Sequence, residues 1–330
     1  MRNVLLIAGL EERYYYEPFI KACHNLDISI HICDPSRYPV EMLLSIEQAG
    51  QKLAGYIDTY QLLGDEFVKS GVKLNEIAIA WYVRENYRPS SDGESDSLDS
   101  RFRRNETAHA LEAILSTLDC VWINSHGAMD RVSSNKLYQQ VVAASSGLLT
   151  PDTIVSNDPD RVTVFARRHR GALVKTIGYI RLDDDDSLAI YSERFSADEI
   201  RASTEAIRLC PVFAQTYIEK KYEHRVMVIG DEVLACRIDS QSSEKTKTDW
   251  RHYDFDNVEH VQVDLPDQVK DSLRKFMKKI DLRFGAIDLI ETPSGEFVFL
   301  EVNPSGQWGW IHDLAGLPIP ESVARMLSSY

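Results

Sequence analysis

Residues 297–304 read FVFLEVNP, an apolar run that ends in a carboxylate, an amide and a proline. Period-two alternation places Phe297, Phe299, Glu301 and Asn303 on one face, so two oxygen-bearing side chains point where the pattern expects core. The preceding run, FGAIDLI at residues 284–290, carries one acid, Asp288, and ETPSGE separates the two. That is a hairpin signature. With Ser294 and Gly295 as the turn residues, Pro293 faces Glu296, and counting outward brings Asp288 opposite Glu301. Like charges directly opposite destabilise a sheet, so the pair asks for a cation or a shared proton. Asp, Glu and an Asn amide are hard oxygen donors that suit magnesium, whose remaining positions go to water and phosphate. Glu301→Gln and Asp288→Asn are both expected to leave the fold intact, since each relieves the facing charges. The competing reading is the solvent-facing side of an edge hairpin.

Other charged residues stand out against their surroundings. Lys175 sits inside the apolar strand ALVKTIGYI, either with a partner or function of its own or snorkelling at a sheet edge. Asp183, Asp184, Asp185 and Asp186 lie between GYIRL and LAIYSERF, where a solvated hairpin tip is the default reading. His224 and His252 stand beside Arg225 and Arg251 and read as packing or solvent-facing groups; the nine histidines show no metal spacing. No Ser-His-Asp or Cys-His order stands out.

The elements that must position these residues alternate along the chain. NVLLIAGL, a helical stretch to about Leu26 and ISIHICDP make a β-α-β opening, with further strands at residues 76–83 and 120–124. Gly9 alone is not a dinucleotide fingerprint, and a plain doubly wound domain is expected. Residues 88–105, rich in Ser and Asp, read as a surface loop before a helix at ETAHALEAIL. A helix over residues 135–146, a helix opened by Asp158 and Pro159, an antiparallel pair turning at Gly230 and Asp231, and an amphipathic helix with Val269, Leu273, Phe276, Met277 and Ile280 on one stripe follow.

Composition narrows the function. The 330 residues, 44% hydrophobic and 27% charged, suffice for two or three domains with real cores. A net charge of −14 argues against a general binder of nucleic acid or anionic membrane. The five cysteines lack C-x-x-C spacing and read as reduced thiols. With no signal-peptide pattern and no membrane-length apolar run, a cytoplasmic protein is expected.

Taken together the elements resemble the ATP-grasp superfamily along essentially the whole chain, and D-L-I, a turn and F-L-E-V-N-P carry most of the likeness. The resemblance implies an α/β ATP-grasp fold in three parts. An N-terminal doubly wound pre-ATP-grasp domain spans 1–125, a central α+β subdomain with a peptide-binding hairpin 126–214, and a C-terminal α+β subdomain with the magnesium site 215–330. It implies ATP and Mg2+, with Asp288, Glu301 and Asn303 as metal ligands and Lys136 and Lys175 on nucleotide phosphate. Gln215, Thr216, Tyr217 and Ile218 would be the adenine hinge, Glu223 the ribose acid, and Arg225 and Arg251 catalytic residues near the transferring phosphate. Only Gly178 follows Lys175, so the glycine-rich phosphate cradle is missing. SQSSEKTKTDWRHYD and LEVNPSGQWGWI are similar to stretches of the graspetide synthetases, the microviridin-type maturases of ribosomal peptides. These join Asp or Glu side chains of a precursor peptide to Ser or Thr as esters, or to Lys as amides. A leader-plus-core peptide partner is thereby implied, with Asp183, Asp184, Asp185, Asp186 and Glu193 as a leader site. A homodimer is also expected. The alternatives are an ATP-grasp ligase of free amino acids or of a protein tail, and a non-catalytic nucleotide-binding regulator.

Overall fold

The computed structural model describes residues 2–83, 97–133, 135–177, 192–243 and 257–330. The chain divides into two compact units, one of Met1–Ser125, Gln307–Gly309 and Pro318–Tyr330, the other of His126–Gly306 and Trp310–Leu317.

In the first unit β1 (Arg2–Ile7), α1 (Glu17–Ala22) and β2 (Ile28–Cys33) form the expected opening. Three antiparallel strands follow, β3 (Leu44–Ala49), β4 (Lys52–Leu63) and β5 (Glu66–Lys73), and then β6 (Ile77–Tyr82), α2 (Leu98–Ser116) and β7 (Val121–Ile123). The sheet order is β3-β4-β2-β1-β6-β7 with β5 on β4, and β2, β1, β6 and β7 run parallel. The doubly wound part is as expected; the antiparallel extension was not foreseen. Its strands are largely exposed, so their apolar period is weak, and the remaining signal is Gly50 and Gly64 at φ +62 and +65 in the two turns. Leu5, Ile7, Cys33, Ile57 and Val72 form one core with Leu111 and Leu115 of α2. That helix starts at Leu98, not at Glu106, because the Ser97 side chain caps it by accepting the Ser100 N–H. Residues 97–105 of the expected loop are thus cap and helix, and residues 88–96 lie outside the described residues.

The second unit opens with α3 (His126–Ser133) and α4 (Lys136–Ser145). A four-stranded antiparallel sheet follows, ordered β10-β9-β11-β8, from β8 (Thr153–Ser156), β9 (Ala172–Lys175), β10 (Glu193–Phe195) and β11 (Val212–Gln215). α5 (Pro159–Arg168), α6 (Ala197–Ala202) and α7 (Thr204–Leu209) share its core through Val162, Phe165, Ile200 and Ile207. Asp158 caps α5 as the sequence suggests, accepting from Asp160 and Arg161 N–H with Pro159 at the first helical position.

A second antiparallel sheet is ordered β14-β13-β12-β15-β16, from β12 (Tyr222–Ile229), β13 (Glu232–Ile238), β14 (His260–Val263), β15 (Phe284–Glu291) and β16 (Phe297–Asn303). Ile229 pairs with Glu232, leaving Gly230 and Asp231 as the two-residue turn. The stripe of α8 (Asp267–Ile280), Leu273, Phe276, Met277 and Ile280, packs with Val226, Ile287, Leu289, Phe299 and Val302. Phe276 and Phe299 meet edge to face, ring centroids 4.9 Å apart. After β16 come α9 (Gly309–Ala315) and α10 (Ile319–Ser328). α10 belongs to the first unit, where Arg2 Nη1 donates to the Leu327 and Ser328 carbonyls at 3.0 and 2.7 Å. Among the described residues no helix is long and apolar enough to cross a membrane.

Burial pushes His31, His224 and His260 below the ordinary histidine value, in His224 against an opposing hydrogen bond to Glu291. The folded chain resists protonation at these rings while the unfolded chain takes protons near pH 6.5, so stability falls as pH drops through and below that value. Thermal unfolding should show a lower midpoint at about pH 5.5 than at about pH 7.5. An unchanged midpoint would contradict the burial argument.

Candidate functional site

The hairpin holding the two carboxylates has the expected pair and an unexpected turn. Thr292 N–H donates to the Glu296 carbonyl and Gly295 N–H to the Thr292 carbonyl, so Pro293, Ser294 and Gly295 make a three-residue loop with Gly295 at φ +83. Glu291 consequently pairs with Phe297 and Leu289 with Phe299, one residue out of the predicted register. A bulge then shifts the ladder between Leu289 and Asp288, and Asp288 pairs with Glu301. The two departures cancel.

The same bulge corrects the predicted face. Phe297 and Phe299 lie with the core as expected, but so does Val302. Leu300 and Glu301 together occupy the space opposite Asp288, and both line the same cleft. Glu301, and Asn303 two residues on, therefore share the face of Asp288 and Ile290 instead of that of Phe299.

Each carboxylate has a basic partner. Arg225, directly opposite Asp288 on β12, places Nη1 2.9 Å from Asp288 Oδ1, and both residues are buried. Asp288 is only 9% exposed, so the solvent-facing edge reading fails for it. Lys136, the first residue of α4, has Nζ 3.5 Å from Glu301 Oε2 and also donates to the Thr176 carbonyl at 3.1 Å. Asn303 Oδ1 accepts the Ser305 N–H at 2.9 Å, closing a turn over the strand end. Gly306 follows because a Cβ there would stand 2.3 Å from Ala286 Cβ and 2.9 Å from Arg225 Nη2.

Two residues missed in the sequence hold the bulged strand. Gln139 of α4 accepts the Val302 N–H at 2.9 Å and donates to the Val302 and Val132 carbonyls at 3.1 and 2.9 Å. Gln140 donates to the Leu300 carbonyl. β16 is an edge strand, and these amides satisfy its outer rim in place of another strand. With Lys136 they recur at i, i+3 and i+4, so one helix face meets the whole bulge.

Both carboxylates line one cleft. Eight expected residues line it: Lys175, Gln215, Thr216, Tyr217, Ile218, Glu223, Asp288 and Glu301. β9 runs between β10 and β11, so Lys175 is on an inner strand and not at a sheet edge. Gln215 donates from Nε2 to Thr153 Oγ1 at 3.0 Å, and the Thr216 N–H bonds the Asp152 carbonyl at 2.9 Å, which ties the hinge segment to the start of β8. Arg194 of β10 lies over the Tyr217 ring, 4.9 Å from its centroid. Burial raises the Glu223 carboxyl above the ordinary value, against the lowering influence of the Lys220 ammonium. His224 is a packing group, bonded to Glu291 at 3.0 Å with Phe297 beside its ring. Glu193 is exposed on β10 and does not line the cleft, although Ser192 does. Arg251, His252, Gly178 and Asp183, Asp184, Asp185 and Asp186 lie outside the described residues.

Among the described residues no group of three or more His, Cys, Asp or Glu side chains is arranged to hold a metal. Two carboxylates facing each other on adjacent strands and the amide oxygen of Asn303 still suit magnesium, which takes several ligands from phosphate and water.

With this geometry in view, the solved structures are informative. The chain is similar to the macrocyclase MdnC bound with precursor peptide MdnA from Microcystis aeruginosa MRC, at 26% identity and TM-score 0.81, covering 98% of this chain and 99% of that one. Macrocyclase MdnB from the same organism is 25% identical, with TM-score 0.77 and 99% of each chain covered. These likenesses bear out the resemblance to the graspetide-synthetase family of ATP-grasp ligases. A RiPP-associated ATP-grasp ligase of Chryseobacterium gregarium, in complex with ADP and a leader and core peptide, shares the fold at 24% identity and TM-score 0.87, over 100% of this chain and 97% of that one. No family model and no curated protein matches the chain.

Gln139→Ala leaves the Val302 N–H and carbonyl without their partner. The variant should lose about 2 kcal/mol of stability, since unmade buried hydrogen bonds cost about 1–3 kcal/mol each. Urea unfolding checks this, and an unchanged midpoint would show that Gln139 does not hold the strand.

Proposed function

We propose that this ligase uses ATP to activate Asp or Glu side chains of a ribosomal precursor peptide and joins them to Ser or Thr hydroxyls as esters, or to Lys amines as amides. One observation carries the reading: the facing pair Asp288 and Glu301 lines the same cleft as the hinge, Glu223 and Lys175, in a fold that MdnC, bound with its precursor peptide, shares end to end.

A carboxylate is a poor electrophile, and the chemistry begins by changing that. One oxygen of a substrate carboxylate attacks the γ-phosphorus of ATP, the bond to the β-phosphate oxygen breaks, and ADP leaves. A hydroxyl or amine of the same peptide attacks the resulting acyl phosphate, loses its proton, and expels phosphate carrying one original carboxylate oxygen. Little covalent help is needed from the protein, so its residues bind, orient and balance charge. Backbone groups of Thr216, Tyr217 and Ile218 meet adenine, Glu223 accepts from the ribose hydroxyls, and the Lys136 and Lys175 ammonium groups meet phosphate oxygens. Magnesium held by Asp288, Glu301 and Asn303 supplies neutralisation of the phosphate charge. Arg225 aims the Asp288 carboxylate from its 2.9 Å contact, and Arg225 and Arg251 are assigned to the transferring phosphate. The leader is proposed to dock on the acids at 183–186 and Glu193. The enzyme is proposed to act in the cytoplasm as a homodimer.

Glu301→Gln and Asp288→Asn should both abolish turnover, read as ADP release with a candidate precursor peptide rich in Thr, Ser, Asp and Glu. Their effects on stability differ, which corrects the expectation that both leave the fold intact. Glu301 is partly exposed with a 3.5 Å partner, so Glu301→Gln should unfold as the parent does. Asp288→Asn removes the charge that faces the buried Arg225 guanidinium at 2.9 Å and should cost about 3–5 kcal/mol. Full turnover in Glu301→Gln at saturating magnesium would overturn the metal assignment. ADP release with free amino acids and none with the peptide would overturn the peptide substrate.

A further inference from the structure

Lys220 stands in EKKYEHR, a stretch that looks like a solvated charge run, yet its side chain is only 6% exposed. It lines the cleft together with Glu223, and its Nζ lies 2.9 Å from Glu223 Oε1. The Glu223 side chain is 5% exposed. Burying an ammonium and a carboxylate is costly, and the pair persists only where their geometry and further hydrogen bonds compensate. Ser240, with no exposed surface, supplies one such bond to the same carboxylate. The expected hinge residues Gln215, Thr216 and Tyr217 line the same cleft.

We propose that Lys220 is a positioning residue of the nucleotide site, whose ammonium holds the Glu223 carboxylate where it accepts hydrogen bonds from the two ribose hydroxyls. The proposal rests on the ligase reading and extends it to a residue that sets sugar discrimination. Lys220 need not touch the reacting atoms. Its work is to keep a deeply buried acid in the form with the most acceptor sites. The groups acting on Glu223 are Lys220 from the segment before β12, Ser240 after β13 and Asp288 from β15, while Lys175 of β9 and Glu301 of β16 line the same cleft. Burial and Asp288 favour the protonated acid, and Lys220 opposes them. Removing Lys220 shifts the balance toward the protonated acid, in which one acceptor oxygen becomes a donor, and the ribose grip weakens.

The test is calorimetric binding of ADP and of 2′,3′-dideoxy-ADP to the full chain, without peptide. The parent should prefer ADP by about tenfold, the scale set by hydrogen bonds to a charged group, with little change between about pH 6.5 and 9. In Lys220→Met the preference should fall toward one at neutral pH, and ADP affinity should recover as pH rises and Glu223 ionises. Lys220→Arg should keep most of the preference. If Lys220→Met fails to fold, Lys220→Met combined with Glu223→Gln decides the matter: with no buried acid left to balance, the double variant should fold and show no ribose preference. A double variant that also fails to fold makes Lys220 a packing residue and overturns the proposal, as does a Lys220→Met variant with the parent's preference and flat pH profile. Absence of ADP binding by the parent would remove the ligase reading as well. Normal binding with an inert Lys220 would remove this inference alone.

Discussion

Asp288 and Glu301 face one another across β15 and β16, and keeping two like charges in that position shapes the surrounding structure. A buried carboxylate survives only with a counter-charge and hydrogen bonds, so Arg225 is recruited from the strand on the other side of β15. Gly306 leaves its guanidinium room, and Lys136 approaches Glu301 from α4. The bulge at Leu300 and Glu301 lets one strand send Phe299 and Val302 to the core while presenting an acid to the cleft. A regular strand would place Phe299 and Glu301 on the same face.

The edge position of β16 adds a second constraint. An edge strand has free backbone groups and little to keep a bulge in place. Gln139 and Gln140 meet those groups with side-chain amides, and Leu149 contributes its carbonyl to the Phe299 N–H at 2.8 Å. The oxygens proposed to hold magnesium are thereby set on a braced support although they lie at the margin of the sheet, which suits a reaction that depends on positioning more than on covalent catalysis.

Local signals made part of this legible in the sequence. The hairpin, the Gly230 and Asp231 turn, the Asp158 cap and the α8 stripe each depend on neighbours a few residues apart, and each is found where the pattern put it. The Asp288 and Glu301 pair was located by a register count in which the turn length and the bulge compensated, so the pairing was read correctly through an incorrect turn. What escaped depends on distant partners. Gln139 and Gln140 look like surface residues until β16 lies beside them, and Lys220 looks like one charge in a basic run until the cleft buries it. Ser97 ends a Ser- and Asp-rich stretch that hides the helix it caps. Family resemblance supplied roles for Lys136, Lys175 and the hinge that spacing alone did not contain.

The proposed transfer of the γ-phosphoryl group to a peptide carboxylate would leave a specific isotopic record. A precursor peptide labelled with oxygen-18 in its Asp and Glu side chains should yield ADP, inorganic phosphate carrying one labelled oxygen for each bond formed, and a product lighter by whole waters. AMP and pyrophosphate with unlabelled phosphate would mean adenylation instead, and would contradict both the acyl-phosphate route and the roles assigned here to Lys136, Lys175 and Arg251.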